Sequence, residues 1–182
     1  ELSGDEAREH EPALGPRVHR AVFMPNLRHC PNPLRLTQTL VEHFVRSGGT
    51  LLKETVLAIE SDASAPPRVV TETATHAADQ VVLAAGIWSR ALAARLDVKV
   101  PLESQRGYNM MLPNSGVSLR QPVVSVDRNV LITPMEDGVR VSGIAEHAGL
   151  AAKPDYALAD LIVEHARAVM PGLVAEGGVP WS

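Results

Sequence analysis

The sequence predicts an α+β fold, in which an α/β stretch is flanked by segments of antiparallel or mixed sheet. A continuous apolar run, Val81–Ala85, is typical of a strand buried on both faces of a sheet. The run passes through Gly86 into Ile87–Leu96, where apolar residues recur every four positions as in a helix. Elsewhere, short strand-like pieces alternate with turn residues. We therefore expect three segments, namely residues 1–32, 33–96 and 97–182, of which the second carries the α/β character.

The N-terminal segment predicts a short helix followed by a strand. Ser3 and Glu6 have the spacing of a capping box, in which each side chain satisfies a backbone N–H at the start of a helix. Pro12 limits that helix to about two turns. The alternation from Arg17 to Met24 then favours a strand.

The clearest predicted helix begins at Asn32–Pro33, with Asn as the N-cap and Pro at the first helical position. Its apolar stripe consists of Leu36, Leu40, Val41 and Phe44, and Gly48–Gly49 ends it. Strands are predicted at Thr50–Glu60 and Arg68–Thr75, joined by a hairpin-like loop at Ser61–Pro67.

The last third predicts antiparallel strands and one packing helix. Prolines at 101, 113, 122 and 134 separate short strand-like pieces, and the Asp137–Gly138 turn precedes a strand at Val139–Ile144. Asp155–Met170 is predicted to be an amphipathic helix. Its inward residues are expected to be Leu158, Leu161, Ile162, Ala166 and Val169, with His165 at the edge of the core.

Composition argues against several classes of function. The net charge is −4 and aromatic residues make up 3%, so neither a basic nucleic-acid footprint nor a base-stacking platform is expected. The single cysteine, Cys30, allows no intrachain disulfide and suits a reducing compartment. The seven histidines lack the spacing of metal ligands, and no G-x-S-x-G nucleophile elbow is present. No apolar run approaches the ~20 residues that cross a bilayer.

Four stretches, in this order, carry a resemblance to a known family: PNPLRLTQTLVEHFVRSGGTLLKETVLAIE, VVLAAGIWSRALA, VPLESQRGYNMML and VRVSGIAEHAGL. The chain resembles the FAD-dependent amine and amino-acid oxidoreductases, which include D-amino-acid oxidase, glycine oxidase, sarcosine oxidase and D-amino-acid dehydrogenase. The resemblance implies a partial FAD-binding domain at 33–96, a substrate domain at 97–182 and a substrate-side segment at 1–32. The G-x-G-x-x-G fingerprint that holds a dinucleotide pyrophosphate is absent, so we expect an internal piece of such an enzyme.

The resemblance implies FAD as the cofactor and two cofactor-binding segments. The backbone of Thr55 and Val56 would contact the adenine. The pyrophosphate and ribose would lie beside Ala84, Ala85, Gly86 and Trp88. The alternatives are a core strand valine at 56 and an ordinary turn glycine at 86.

The substrate-side candidates are Arg106, Tyr108 and His29. An arginine binds a carboxylate with two parallel hydrogen bonds, and a phenol hydroxyl adds another donor. The alternatives are a surface arginine beside a half-buried strand tyrosine, and a solvated loop histidine.

By resemblance, the enzyme would oxidise an amine or D-amino acid by hydride transfer to the flavin, giving an imine and then a 2-oxo acid. We assign no catalytic side chain and no metal, because the flavin carries the chemistry. A small-molecule amine substrate and a cytoplasmic location are expected; a membrane quinone acceptor, a homo-oligomer and peripheral association with the inner membrane stay open. The alternatives are a flavoenzyme acting on glycerol 3-phosphate or tRNA, and a stand-alone interaction module, which would require a closed hydrophobic core.

Overall fold

The computed structural model describes residues 1–62 and 64–182, and these fall into two compact units. Unit 1 consists of Glu1–Thr37 and Gln105–Ser182, and unit 2 consists of Gln38–Ser104. The segment boundaries predicted from the sequence lie slightly earlier, so that residues 33–37 fall in unit 1 and residues 97–104 in unit 2. The assignment of these parts to cofactor and substrate stays a prediction.

Unit 1 begins with β1 (Leu2–Ser3), α1 (Gly4–His10) and β2 (Arg20–Ala21). The capping box is confirmed, since the hydroxyl of Ser3 accepts the Glu6 N–H at 3.3 Å and the Glu6 carboxylate accepts the Ser3 N–H at 2.7 Å. The strand predicted over Arg17–Met24 is largely wrong. Only two of its residues form a strand, because the antiparallel partner β1 is itself only two residues long.

The main sheet of unit 1 has five antiparallel strands in the order β10-β6-β9-β8-β7. The predicted strand at Val139–Ile144 is confirmed within β9, which follows the tight turn at Asp137–Gly138. The strands are β6 (Arg106–Leu112), β7 (Val123–Ser125), β8 (Val130–Met135), β9 (Gly138–Glu146) and β10 (Val179–Trp181).

One face of this sheet packs against helix α4 (Ala157–Val169) and forms the core of unit 1. The helix was predicted, but its inward stripe is centred differently: Leu161 is 39% exposed, whereas Ala159 and Val163 are buried. Positions 159, 162, 163 and 166 lie on one side of a 3.6-residue helix, and 161 lies on nearly the opposite side. His165 is half-buried, as expected for the core edge, and its Nδ1 has no hydrogen-bond partner among the described residues. The core residues of the sheet are Tyr108, Met110, Leu112, Val130, Ile132, Val139 and Val141.

Helix α2 (Pro33–Arg46) begins where the sequence predicts, with the Asn32 side-chain oxygen accepting the Arg35 N–H at 2.8 Å. No residue of α2 is buried. The predicted stripe is therefore correct as a pattern, but it lies uncovered: Leu36, Leu40 and Phe44 are all more than half exposed.

Unit 2 contains one three-stranded antiparallel sheet, β3 (Val56–Asp62), β4 (Ala65–Thr71) and β5 (Thr75–Ala77). The predicted strand Thr50–Glu60 begins later than expected and Arg68–Thr75 ends earlier. Most of the predicted loop Ser61–Pro67 is strand, although Ala63 lies outside the described residues. The two prolines of β4 are tolerated because they fall at a shift in register between Glu60 and Asp62, where no ladder hydrogen bond is needed.

The run Val81–Ala85 does not form the predicted buried strand. No described strand pairs with it, and Val82 is 88% exposed. A strand needs a neighbour for its N–H and C=O groups, and none of the described residues supplies one. A 3₁₀ turn (Gly86–Trp88) and the short helix α3 (Ser89–Ala94) replace the longer helix predicted for Ile87–Leu96.

Unit 2 buries very little of its apolar surface. Among its described residues only Ile59, Thr71 and Ala93 are buried. A closed hydrophobic core, which the hypothesis of a stand-alone module requires, is therefore not found within unit 2. Its exposed large apolar residues are Leu40, Phe44, Val45, Leu51, Leu52, Val56, Leu57, Val82, Trp88 and Val98.

Glu11 fastens the N-terminal helix to the loop between β6 and β7. The side chain is almost completely buried, and its carboxylate accepts the Arg120 N–H at 2.7 Å and the Ala13 N–H at 3.4 Å. The guanidinium of Arg120 in turn donates to the backbone oxygen of Glu9 at 3.0 Å. A buried N–H without an acceptor costs free energy, so this carboxylate is expected to matter for stability.

We expect Glu11→Ala to lower the free energy of unfolding by about 1–3 kcal/mol, because it leaves the Arg120 N–H buried without its acceptor. Glu11→Gln keeps an acceptor oxygen and should cost less. The measurement is urea unfolding, with Glu9→Ala as the matched control, since the exposed Glu9 side chain makes no described hydrogen bond. Equal effects at positions 9 and 11 would contradict the assignment.

Candidate functional site

The six residues predicted to bind a cofactor all lie in unit 2, at two places. Thr55 and Val56 lie at the start of β3. Thr55 is exposed, its hydroxyl donates to Glu72 at 3.2 Å, and its carbonyl accepts the Glu72 N–H at 3.2 Å. Val56 stands opposite Thr71 and is 39% exposed, so its side chain is not the core valine of the alternative interpretation.

Glu54 holds the beginning of β3 in place. Its carboxylate accepts the Thr71 hydroxyl at 2.6 Å and contacts His76 Nε2 at 3.0 Å. The hydrogen bond from Thr71, followed by that from His76, stabilises the charged form and lowers the pKa of Glu54. These contacts fix the backbone immediately before the two candidate residues Thr55 and Val56.

The second place is the turn that leads into α3. The Ala85 N–H donates to the Ser89 hydroxyl at 3.0 Å, and the Ala85 carbonyl accepts the Trp88 N–H at 3.2 Å. Gly86 has a φ of +55°, a conformation that favours glycine, and a Cβ built there would meet no atom within 4 Å. Ala84, Gly86 and Trp88 are exposed. The turn therefore presents an accessible backbone of small residues.

A cleft of about 560 Å³ adjoins this turn within unit 2. Ser89 is its one polar residue among those described, and the Ser89 hydroxyl already accepts the Ala85 N–H. The side chains of such a lining suit an apolar group, and none of those described would bind a phosphate. The lining consists of Leu83, Ala84, Gly86, Ser89, Ala93, Leu96, Val98, Val100 and Leu102.

Two of the three predicted substrate residues, Arg106 and Tyr108, meet in unit 1 around a carboxylate that the sequence did not single out. The Tyr108 hydroxyl donates to Glu146 at 2.7 Å, and the Arg106 guanidinium lies 3.3 Å from the same oxygen. Arg106 and Glu146 are direct cross-strand partners on β6 and β9. The Tyr108 oxygen and the Glu146 carboxylate hold the pKa of Arg106 above its ordinary value. Only the register of the two strands reveals this cluster.

The same cluster forms hydrogen bonds with the segment that leads from β9 to α4. Arg106 donates to the Ala152 carbonyl at 2.6 Å, and the Tyr108 hydroxyl accepts the Asp155 N–H at 2.9 Å. Tyr108 is only 1% exposed. Both side chains are thus engaged in contacts within unit 1. Their role in substrate binding stays a prediction.

His29 is not part of this cluster. It lies exposed in the loop before α2, and it makes no hydrogen bond or ion pair with any residue that the structure describes. Within residues 1–62 and 64–182, no three His, Cys, Asp or Glu side chains group as metal ligands would. None of the helices in this part of the chain is long and apolar enough to cross a membrane.

Comparison with known proteins identifies the family. The family described as "DAO: FAD dependent oxidoreductase" matches residues 1–182. The chain belongs to this family. A D-amino-acid oxidase of Bradyrhizobium diazoefficiens is 32% identical over 173 residues, which are 95% of this chain and 41% of that protein. A D-amino acid dehydrogenase of Neisseria meningitidis serogroup A is 33% identical over 159 residues, 84% of this chain and 38% of that protein.

Solved structures agree with the FAD-dependent oxidoreductase fold. The glycine oxidase from Geobacillus kaustophilus superposes with a TM-score of 0.79 at 23% identity, over 99% of this chain and 49% of that chain. The predicted fold class, mixed helices and antiparallel sheets of this family, is confirmed. The chain spans about two fifths of the length of the curated relatives and about half of the glycine oxidase chain.

FAD is the cofactor of this family, and the accessible backbone at Ala84–Gly86 fits one side of such a ligand. The left-handed Gly86 leaves open the space that a side chain would fill. Within the described residues no glycine-rich loop joins a strand to a helix to hold a pyrophosphate. Unit 2 therefore fits as part of an FAD site.

The contact between Glu54 and Thr71 predicts a pH effect on unit 2. Because the folded state lowers the pKa of Glu54, its stabilising contribution is fully present above the ordinary glutamate pKa and is lost as the pH falls through the lowered value. We expect Thr71→Val to raise the pKa of Glu54, measured by NMR titration of its side-chain carboxyl. Thr75→Val, which alters an exposed strand threonine of the same unit, should leave that pKa unchanged. An unchanged Glu54 pKa in Thr71→Val would refute the assigned cause.

The cluster around Glu146 predicts a structural role for Tyr108. We expect Tyr108→Phe to reduce the free energy of unfolding by about 1–3 kcal/mol, because Glu146 loses a donor and the Asp155 N–H loses its acceptor. Tyr156→Phe is the matched control: the Tyr156 ring packs edge-on against Tyr108 at 6.5 Å, but its hydroxyl makes no described hydrogen bond. Denaturant unfolding of both variants tests this, and a loss no greater than that of the control would contradict it.

Proposed function

We propose that this chain forms part of an FAD-dependent oxidoreductase that oxidises amino acids or amines, with unit 2 contributing one wall of the FAD site and unit 1 the substrate side. The observation that carries the proposal is the turn at Ala84–Gly86, where Ala84 and the left-handed Gly86 are exposed. A turn of small residues that leads into a helix is how α/β folds bring backbone N–H groups to a nucleotide. The names of the two curated relatives support amino acids as the substrate class.

The uncovered apolar surface of unit 2 favours this proposal over a stand-alone interaction module. Among the described residues of unit 2, ten large apolar side chains are exposed and three residues are buried. Patches of this kind mark surfaces that another part of a polypeptide or a ligand covers. A module that worked alone would bury them.

On this proposal, the residues that line the cofactor are Thr55, Val56, Ala84, Ala85, Gly86 and Trp88. FAD would supply the redox chemistry, taking a hydride from the α-carbon of the amine to leave an imine that water hydrolyses. The chain's own residues position the reactants and exclude water, and no side chain is required to act as an acid or base. The Glu54–Thr71 contact keeps Thr55 and Val56 in place, and the Ala85–Ser89 hydrogen bond shapes the turn at Gly86.

The test is the flavin content of the full-length product of this gene. We expect it to retain FAD after gel filtration and to lose its flavin absorbance when a D-amino acid is added without oxygen. Bleaching by glycerol 3-phosphate but not by amino acids would favour the other class of flavoenzyme. Absence of flavin in the full-length protein after FAD is added in excess would contradict the proposal.

A glycine substitution tests the part assigned to Gly86. We expect Gly86→Ala to weaken FAD binding, because a Cβ would enter the space left for the ligand and because alanine disfavours a φ of +55°. Gly48→Ala is the matched control, since Gly48 also has a positive φ, +93°, and open space at its Cβ. The fluorescence of bound and free FAD gives the affinities. Equal losses would mean that backbone strain alone is responsible.

A further inference from the structure

The loop between β2 and α2, residues 22–32, carries His29 on an exposed surface of unit 1. At the first end of this loop, the ring of Phe23 stacks on the ring of His10, with the two centroids 4.6 Å apart. Among the described residues, positions 24–30 form hydrogen bonds only with one another. The place of the His29 ring therefore depends on what holds the second end of the loop.

The second end is held by Glu136, at the tip of the hairpin that joins β8 and β9. The Glu136 N–H donates to the Pro31 carbonyl at 3.0 Å. The Glu136 carboxylate accepts one hydrogen bond from the Asn32 side-chain amide at 2.6 Å and another from the Arg35 guanidinium. We call these three contacts the Glu136 clamp. They join one short segment to a residue 104 positions away from Asn32 in the sequence.

The hairpin that carries Glu136 is fixed by the main sheet of unit 1. Met135 and Gly138 pair across its two-residue turn, and β9 continues into pairing with β6, where Val139 stands opposite Leu112. Val139 and Leu112 are both buried in the core. The tip of the hairpin is thus a firm support for the loop.

Asn32 uses the two atoms of its side-chain amide in two different contacts. Its oxygen accepts the Arg35 N–H at 2.8 Å and caps α2, whereas its nitrogen donates to Glu136. An aspartate at this position would cap the helix equally well, but it has no hydrogen to donate to a carboxylate. A substitution can therefore remove the clamp and leave the start of the helix intact.

The Glu136 clamp acts on the loop rather than on the stability of the whole unit. The side chains of Arg35 and Glu136 are 63% and 38% exposed, and exposed ion pairs contribute little to the free energy of unfolding. An exposed loop, however, is ordered only where local contacts offset its conformational entropy. The consequence of the clamp is therefore the position of residues 24–30.

We propose that Glu136 is a positioning residue for the substrate and acts through His29. It holds the loop in place before the substrate binds, so that binding does not have to order the loop. This inference rests on the proposed function, which assigns unit 1 to the substrate side. Of the three predicted substrate residues, Arg106 and Tyr108 are bound to Glu146, whereas His29 makes no hydrogen bond with any described residue.

Hydrogen exchange of the full-length protein, followed by mass spectrometry, tests the clamp without any measurement of activity. We expect the amide at position 136 to exchange about fivefold faster or more in Asn32→Asp and in Glu136→Ala. Asp137→Asn is the matched control, since it removes the same charge from the adjacent turn residue, whose side chain makes no described hydrogen bond. The wild-type rate in both Asn32→Asp and Glu136→Ala would overturn the clamp.

Exchanging the donor and the acceptor gives a rescue variant. In the double variant Asn32→Asp with Glu136→Gln, the new carboxylate accepts a hydrogen bond from the new amide, so the contact is restored with its direction reversed. We expect the exchange rate at position 136 to return to within about twofold of wild type. A double variant no better than Asn32→Asp alone would contradict the assigned hydrogen bond.

Kinetics test whether the clamp acts through His29. With a D-amino acid as the substrate of the flavin-loaded full-length enzyme, we expect Asn32→Asp and His29→Ala each to raise KM about fivefold or more, with kcat within about twofold. In the His29→Ala background, Asn32→Asp should raise KM no further, because both changes remove one contact. Fully additive effects, or a wild-type KM in Asn32→Asp, would overturn the positioning role.

The same measurements separate this inference from the proposed function. An enzyme that oxidises D-amino acids with a KM insensitive to Asn32→Asp and His29→Ala would keep the proposed function and overturn only the role of Glu136. A wild-type full-length protein that neither holds FAD nor oxidises amino acids would contradict the proposed function, and the positioning role would fail with it.

Discussion

The packing of α4 against one face of the five-stranded sheet is the interaction on which the arrangement of unit 1 depends. It buries alternate residues of β6, β8 and β9 and so decides where every other side chain on these strands points. Tyr108 and Val141 belong to the covered face, and Arg140 lies between buried valines on the other. The division of polar groups between the internal cluster around Glu146 and the opposite face of the sheet follows from that one contact.

On the covered face, the polar side chains around Glu146 are paired. Glu146 receives Arg106 and Tyr108, and these in turn hold Ala152 and Asp155 through their backbone atoms. The side chains in this cluster are all hydrogen-bonded. A buried polar network stabilises the folded state only when its members are paired in this way. The second face differs, because the guanidinium of Arg140 and the hydroxyl of Thr133 find no partner among the described residues. This difference in hydrogen bonding, rather than residue type, distinguishes Arg106, which holds the fold, from Arg140.

Features that depend on neighbours in the sequence could be predicted from the sequence. The capping box at Ser3–Glu6 and the start of α2 at Asn32 each need only three or four consecutive residues, and both are confirmed. The burial of Val81–Ala85 could not be predicted in this way, because a strand is buried only by residues distant in the sequence. The same limit applies to α2, whose apolar stripe was identified correctly although nothing described covers it. The motifs around these elements nevertheless sufficed to identify the family, since the order of local patterns along the chain can be recognised without knowing what packs against them.

The orientation of the Glu146 side chain explains why the candidate site was harder to predict than the fold. Adjacent strand residues point to opposite faces, so the sequence indicates that Glu146 and His147 separate, but not which of them faces the core. The register shifts by one residue between Tyr108 and Asn109, because β9 carries Gly143 as an extra residue. Beyond this bulge the parity of β9 reverses, and Ile144 and Glu146 join the covered face. Gly143 permits the bulge because a Cβ there would lie 2.0 Å from the Asn129 carbonyl oxygen, and the Asn129 amide donates to the Gly143 carbonyl at 2.9 Å. A single glycine thus places the carboxylate beside Arg106 and Tyr108.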